Sequence, residues 1–579
     1  DSETEDSSAA GKEDADSESK NKGKDDEEEE EEPIEIEFEG ILNRIDSFPV
    51  PVSEYAQLDC TEDRVFWTSF GIESSGFRSA LSPPKPAGNI SYYNLKDHEI
   101  KGFANAVDGF MLGADKKTML VWGENLRVVS ASSSMVGEDD ESETPGRKSG
   151  IVDLGRIPLM VDVRAEWRQM LRESWRLMRD HFWDQNLGGL DWEEIWNRYS
   201  PLVETISTRG EFSDVVWTMQ GELGTSHAYE IGGDYRRGSP AIPGFLGADL
   251  TWDELASGYR IAHIASGDVW SSEGSPLAKV GVDAKVGDIV LGINGQRVEK
   301  TVPIQHYLLN LAGQEIELVL KRDARPDESA NEDGEKDGEK DELRTVTVKA
   351  LYTERPARYR EWVNRNRAQV HAATDGKVGY IHVPDMSLYG FAEFHRSFLQ
   401  EIHRGGLIID VRNNGGGYVS QLLLEKLARR RYGYDVNRWG APTPYPAESV
   451  LGSVVAITDE HAGSDGDVFS HSFKLMGLGP LIGKRTWGGV VGIWPRHSLA
   501  DGSITTQPEF SFWFKDVGFS VENYGTRPDI EVELPPHDFQ GSRDAQIEVA
   551  VKTILSLPSP NPAVDFGPRP VLVPRPLKR

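Results

Sequence analysis

From Arg355 to Leu555 the chain alternates short apolar runs, VGYIHV, GLIIDV, SVVAIT and GPLIG, with helically spaced stretches at Tyr389 to Ile402 and Val419 to Arg431. Strand and helix taking turns in this way define an α/β domain. The remainder must be built separately, because 579 residues exceed what one hydrophobic core can organise, and three to five domains are expected. From residue 33 to 158 the pattern changes to short strands, IEIEFEGI, RVFWTSF, NISYYNL, FMLGADKKTMLVW and LRVVSASS, separated by turns. That spacing is the signature of an all-β sandwich or propeller. The unit running from Tyr92 to Val129 reads as one propeller blade. Val163 to Asp184 reads as an amphipathic helix whose Trp167, Leu171, Trp175, Met178 and Phe182 share a core-facing stripe. Further helical segments follow through Leu223, within a unit at 159–236. Three stretches lack the apolar residues to fold: the acidic segment 1–32, the charged run 323–342 and the Pro-rich tail 557–579. Residues 137–148 form a further charged insertion.

Chemistry concentrates at junctions. Ala462-Gly463-Ser464-Asp465-Gly466-Asp467 joins the apolar run Ser453 to Thr458 to a helix over Val468 to Met476. A serine there is poised for attack, with small neighbours admitting a substrate backbone and free amides of the helix start, including that of Asp465, beside the hydroxyl. The hexapeptide equally fits an N-cap serine with no reactivity. A reactive serine needs a base, and His227, in Gly224-Thr225-Ser226-His227-Ala228-Tyr229, is the histidine set in small, loop-like surroundings. Ser226 beside it can help set its tautomer. Gly406 to Gly417 (GLIIDVRNNGGG) is a buried-looking strand entering a triple-glycine turn, which fits either a tight turn or half of an oxyanion hole. In Val521-Glu522-Asn523-Tyr524-Gly525 a single carboxylate follows an aromatic segment, and such a group can orient a serine or histidine.

These pieces, in this order, resemble the tricorn protease family. The likeness runs from Gly150 to about Leu555 through KSGIVDLGRIPLMVDVRAEWRQM, RDHFWD, LGTSHAYE, DVRNNGGGYVS, ITDEHAGSDGD, GKRTWGGVVGI and QPEFSFWFKDVGFSVENYG. The stretch from Phe245 to about Tyr352 is similar to a PDZ domain, marked by GSPLA and VGDIVLGING, and is bounded as 240–352 with the charged run as an insertion. The resemblance implies a multidomain chain. Residues 33–158 would be the last blades of a seven-bladed β-propeller, 159–236 a small helical domain, and 353–556 an α/β crotonase-like domain of the tail-specific peptidase type. It implies Ser464 as nucleophile, His227 as general base, Ser226 and Glu522 as the relay behind it, and the amides of Gly417 and Asp465 as the oxyanion hole. Asp435 falls where the family carries an acidic specificity residue, reaching the site from a neighbouring subunit and favouring a basic side chain next to the scissile bond. Unfolded peptides as substrates, and a homo-oligomer, a hexamer in that family, are implied as partners. His227 would come from a different domain than Ser464, so that domain closure sets the geometry.

No cofactor is implied, and no CxxC or HExxH motif offers a metal site. The net charge of −32, without a basic stripe, argues against nucleic acid. The single Cys60 precludes an internal disulfide and suits a reducing compartment, and no run of apolar residues reads as a membrane span, so a cytoplasmic location is expected. The first residue is Asp1, consistent with a fragment or processed chain whose missing start could have held a signal. Two rival functions remain open: a tail-specific peptidase with a Ser-Lys dyad through Lys474 or Lys484, and an inactive PDZ scaffold that binds peptides by adding a strand to a sheet edge.

Overall fold

The protein is described by a computed structural model covering residues 37–44, 48–71, 88–136, 144–235, 241–268, 274–322, 342–540, 543–561 and 564–569. The acidic segment 1–32, residues 323–341 of the charged run and the end of the Pro-rich tail lie outside the described residues.

The first unit is a single antiparallel meander, β1 (Glu54–Cys60), β2 (Arg64–Phe70), β3 (Gly88–Asn94), β4 (Ile100–Leu112), β5 (Thr118–Gly123) and β6 (Arg127–Ser130). Phe66, Ile90, Phe103, Phe110 and Met119 build its core. The blade-like unit from Tyr92 to Val129 is therefore part of one continuous six-stranded sheet, since each strand pairs with the next in the chain. The strand expected at 34–41 is not formed in its described part. Phe38, Ile41 and Leu42 are exposed beside a short 3-10 turn, Ile41–Arg44, with no neighbouring strand against which to bury them.

Helices α1 (Val163–His181), α2 (Trp192–Tyr199) and α3 (Arg209–Gly221) pack around Trp167, Met170, Leu171, Trp175 and Phe212. Each starts on a capping side chain, Asp162, Asp191 and Thr208 respectively, the last in a capping box with Glu211. The first helix stops at His181, three residues short of the expected end, because Phe182 leaves the helical conformation and the Trp183 amide turns to the Pro508 carbonyl. A short strand, β7 (Glu230–Ile231), follows.

The next sheet orders β13-β12-β10-β9-β8, with β8 (Ala248–Asp253), β9 (Gly258–Ile264), β10 (Ile289–Ile293), β11 (Gln296–Arg297) pairing β10, β12 (Glu315–Arg322) and β13 (Glu342–Lys349). With the helical turn α4 (Ile304–Tyr307) it encloses a core of its own around Ile261, Val290, Leu318 and Leu320.

The last unit is a parallel sheet, β14 (Val378–His382), β15 (Gly406–Asp410), β18 (Ser453–Thr458), β19 (Leu481–Gly483) and β24 (Ile530–Glu531), whose spatial order follows the chain. Its central strands are buried on both faces and side chains alternate between two cores. Ile381, Leu407, Ile409, Ala456 and Leu481 face α6 (Leu388–Glu401), α7 (Ser420–Leu427) and α8 (Asp465–Leu475). Tyr380, Ile408, Val455, Ile457 and Ile482 face α5 (Arg355–Ala373) and α10 (Ala545–Ser556), which comes after the short α9 (Pro536–Gln540). The helix expected to reach Arg431 ends at Leu427. Arg429 turns to Glu448 and Arg431 donates to the Ser449 carbonyl, tying the basic run to the chain returning from a hairpin, β16 (Gly433–Asp435) with β17 (Thr443–Tyr445). Between β19 and β24 the chain makes a long excursion through β20 (Gly492–Ile493), β21 (His497–Ser498), β22 (Ile504–Thr505) and β23 (Pro508–Phe510). That excursion carries the contacts to the helical unit.

Candidate active site

Ser464 follows β18 and immediately precedes α8, with φ 55° and ψ −120°. A non-glycine residue held there is strained, and such strain gathers at functional turns. Its side chain caps no amide of α8, so the N-cap reading of this serine does not hold. The hydroxyl has no hydrogen-bond partner among the described residues.

The glycine turn after β15 lies against it. An ideal Cβ on Gly416 would come within 2.5 Å of the Ser464 Cβ, so only glycine permits the approach. Gly417, at φ 146°, would place a Cβ 2.0 Å from the Met386 carbonyl oxygen. Asn414 holds this turn, its Nδ2 donating to the Val383 carbonyl (2.8 Å), its Oδ1 accepting from the Gly416 amide (3.0 Å) and its carbonyl accepting from the Gly463 amide (3.0 Å). Among the described residues neither the Gly417 nor the Asp465 amide has an acceptor, which leaves two donors flanking Ser464. The Asp465 side chain is occupied elsewhere, accepting from the Ser420 amide and hydroxyl, and burial raises its carboxyl above the usual range.

His227 and Ser226 arrive from the helical unit. That unit is fastened by strand pairing, Glu230 with Thr505 and Ile231 with Ile504. The Thr506 hydroxyl donates to the His227 carbonyl (2.6 Å) and accepts from the Tyr229 amide (2.9 Å). A nearly buried Arg209 joins Glu230 to Asp501, the latter at 2.7 Å. Strand pairing and a desolvated charge network thus hold the segment that carries the imidazole.

The ring lies between Tyr229 and Trp487, with centroids 5.6 and 5.4 Å away. Nδ1 is 2.8 Å from the Ser226 hydroxyl, which in turn donates to Glu522 Oε2 at 3.2 Å. The carboxylate can only accept, so the serine hydrogen points to it and Nδ1 carries the imidazole proton. Nε2 is then the free base nitrogen. Burial holds the ring's pKa below its ordinary value, opposed by the charge of Glu522, which keeps it neutral at neutral pH. Glu522 is itself fixed by the Ser226 amide (2.7 Å), the Thr225 hydroxyl (3.1 Å) and the amides of Val490 (2.6 Å) and Val491 (3.1 Å).

Trp487 bridges the two halves, since the ring packed on His227 also lies 2.7 Å from where a Cβ on Gly463 would sit. His227 and Gly463, the residue before Ser464, thus share the Trp487 ring, and Ser464 and His227 make no hydrogen bond to each other. Asp435 is not among the groups brought together: it is exposed at the end of β16, on the hairpin. Lys474 is held by Asp529 and the Arg527 carbonyl, and Lys484 by Glu531 and Glu533, so neither bonds to Ser464. His471 is bonded to Thr526 and Asp516. Sequence reasoning missed Asn414, Trp487 and Asp467. Their one signal was position, beside the glycine turn, within TWGG and on the first turn of the serine's helix.

A separate cavity of about 1010 Å³, lined by Arg355, Tyr359, Trp362, Asn413, Gly415 and Asp459 among others, does not include Ser464. Among the described residues no helix is long and apolar enough to cross a membrane.

The profile described as tricorn protease C1 domain matches residues 163–221, that of the tricorn protease PDZ domain residues 244–330, and that of peptidase family S41 residues 377–532. A tricorn protease homolog of Saccharolobus solfataricus is 42% identical over 520 residues, 89% of this chain and 46% of that protein. The tricorn protease of Thermoplasma acidophilum is 40% identical over 470 residues, 81% of this chain and 41% of that protein. The crystal structure of the tricorn protease superposes with a TM-score of 0.74 at 38% identity, covering 86% of this chain and 46% of that one. The chain spans about half the length of the curated relatives it matches. An antiparallel six-stranded sheet, a small helical domain, a PDZ domain and an α/β peptidase domain in this order, with such likeness across the chain, mean that it belongs to the tricorn protease family.

Proposed function

We propose that the chain is a serine peptidase that hydrolyses unfolded peptides, with Ser464 as nucleophile and His227 as base. The observation that carries this reading is the hydrogen-bonded line from His227 Nδ1 through the Ser226 hydroxyl to Glu522, ending beside a strained serine with two free amides. Ser464 Oγ attacks the peptide carbonyl carbon and its proton passes to His227 Nε2. The imidazolium is stabilised through Ser226 by Glu522, while the Gly417 and Asp465 amides receive the oxyanion. Collapse returns the proton from Nε2 to the leaving amine, and water repeats the sequence on the acyl-enzyme. No step calls for a metal or cofactor. The exposed position of Asp435 suits a role at a neighbouring copy's site, where its carboxylate would select a basic residue before the scissile bond in a homo-oligomer. Action in the cytoplasm on peptides released by larger proteases accords with this reading.

The test is mass spectrometry of products from a mixed peptide library with chelator present. Cleavage after Lys or Arg, lost in Ser464→Ala and in His227→Ala and shifted in preference in Asp435→Ala, is expected. Turnover surviving Ser464→Ala would overturn the mechanism.

A further inference from the structure

Asp467 is fully buried on the first turn of α8, three residues after Ser464, and takes no part in the mechanism above. A carboxylate without solvent is costly unless its oxygens are supplied with donors. Its donors here come from one loop. The Gly488 amide donates to Oδ1 at 2.8 Å and the Gly489 amide to Oδ2 at 3.3 Å. The next two amides of the same loop, Val490 and Val491, donate to Glu522 Oε2 at 2.6 and 3.1 Å. Four consecutive backbone amides are therefore divided between two carboxylates, one on the nucleophile's helix and one at the end of the histidine relay.

The loop cannot easily shift. Gly488, at φ 93°, would put a Cβ 2.7 Å from the Gly525 amide nitrogen, and one on Gly489 would lie 2.3 Å from the Trp487 ring that covers His227. The Trp487 amide donates to the Ala462 carbonyl (3.1 Å), just before Ser464. An asparagine has a single acceptor oxygen and a nitrogen that only donates, so it cannot receive the Gly488 and Gly489 amides on two separate oxygens as the carboxylate does.

We propose that Asp467 is a positioning residue that fixes the Ser226–His227–Glu522 relay to the nucleophile's helix through the amides of residues 488–491. The inference rests on the serine peptidase reading for its kinetic consequence, not for its geometric one. Around this carboxylate, Asp465 and His471 share its helix, Arg485 braces the loop through the Thr486, Trp487 and Tyr524 carbonyls, and His227 and Glu522 lie beyond the loop. Burial pushes the Asp467 carboxyl up to about 6 against these donors, so it is ionised and holds both glycine amides at neutral pH.

Asp467→Asn should lower kcat about tenfold or more at about pH 7.5 with KM within about twofold, because no substrate contact is removed. The ratio of wild-type to variant activity should narrow to within about threefold by about pH 5, where the native carboxyl is itself protonated. In the ¹⁵N-histidine-labelled chain, with His227 assigned by its loss in His227→Gln, the neutral ring should move from the Nδ1–H tautomer in wild type to a tautomer mixture in the variant. Wild-type kcat in Asp467→Asn, or a loss that is equal at every pH with the His227 tautomer unchanged, would overturn the proposal. If wild type releases no product, the peptidase reading fails on that result alone. The tautomer measurement still decides the positioning role, a shift supporting it and its absence refuting it.

Discussion

Replacing Glu522 by glutamine keeps the shape of the side chain and removes one acceptor and one charge. In the native site Oε1 accepts from the Ser226 amide and the Thr225 hydroxyl, and Oε2 from Val490, Val491 and the Ser226 hydroxyl. The single oxygen of glutamine serves most donors in the place of Oε2. The new amide group then faces the Ser226 amide, which loses its acceptor, at a cost of about 1–3 kcal/mol in stability. A hydrogen bond to a charged partner is worth about 1.5–3 kcal/mol against about 0.5–1.5 for a neutral one, and the imidazolium also loses its counter-charge. The loss of transition-state stabilisation is then about 1.5–3 kcal/mol, roughly 10- to 150-fold in kcat at about 1.4 kcal/mol per factor of ten. KM should hold within about twofold, since Glu522 touches no substrate. The assay is steady-state hydrolysis of a fluorogenic peptide with a basic residue before the scissile bond, with thermal unfolding alongside. Because the charge of Glu522 raises the His227 pKa, the acid limb of kcat/KM should also move to lower pH. A kcat within about threefold of wild type, or a change confined to KM, would refute the relay as derived.

Ser464→Gly should be more stable than Ser464→Ala by about 1 kcal/mol in denaturant unfolding, because only glycine takes φ 55° without strain, while both lack turnover. Gly417→Ala should lower kcat by about a hundredfold or more and also lose stability, since its Cβ meets the Met386 carbonyl and turns the amide away; unchanged kinetics would remove Gly417 from the oxyanion site. The acid limb of kcat/KM should have its midpoint below about 6.5, as burial lowers the His227 pKa. The unfolded histidine binds its proton first as pH falls, so His227 favours folding above that value and opposes it increasingly below, which unfolding at a series of pH values with His227→Gln as reference will read.

The local pieces of this site were readable because each obeys short-range rules. The apolar run Ser453 to Thr458 leading through small residues into helical spacing fixed the strand, turn and helix that carry Ser464, and the triple glycine after Asp410 announced a backbone turned for close approach. The likeness of long segments to one family implied a shared role for the neighbours Ser226 and His227 and for Glu522, which lies 296 residues beyond Ser226 and has no local signal in common with them. Other local readings failed for want of tertiary information. The 34–41 run has the alternation of a strand but no partner strand along its described part, and the helix after Val419 yields to the hairpin that captures Arg429 and Arg431.

What the sequence determined by itself was the order of units and the local turns that carry the candidate reactive groups, because hydrophobic period, glycine content and capping residues act within a few positions. Tertiary structure alone decided that Thr505 pairs with Glu230 and so seats His227, that Trp487 covers it, and that four amides of one loop join Asp467 to Glu522. Those contacts depend on backbone groups, which every residue carries alike, and on which distant segments happen to meet. The pattern of side chains along the chain therefore does not encode them one by one, and they become visible only when the strands and turns are assembled around the serine.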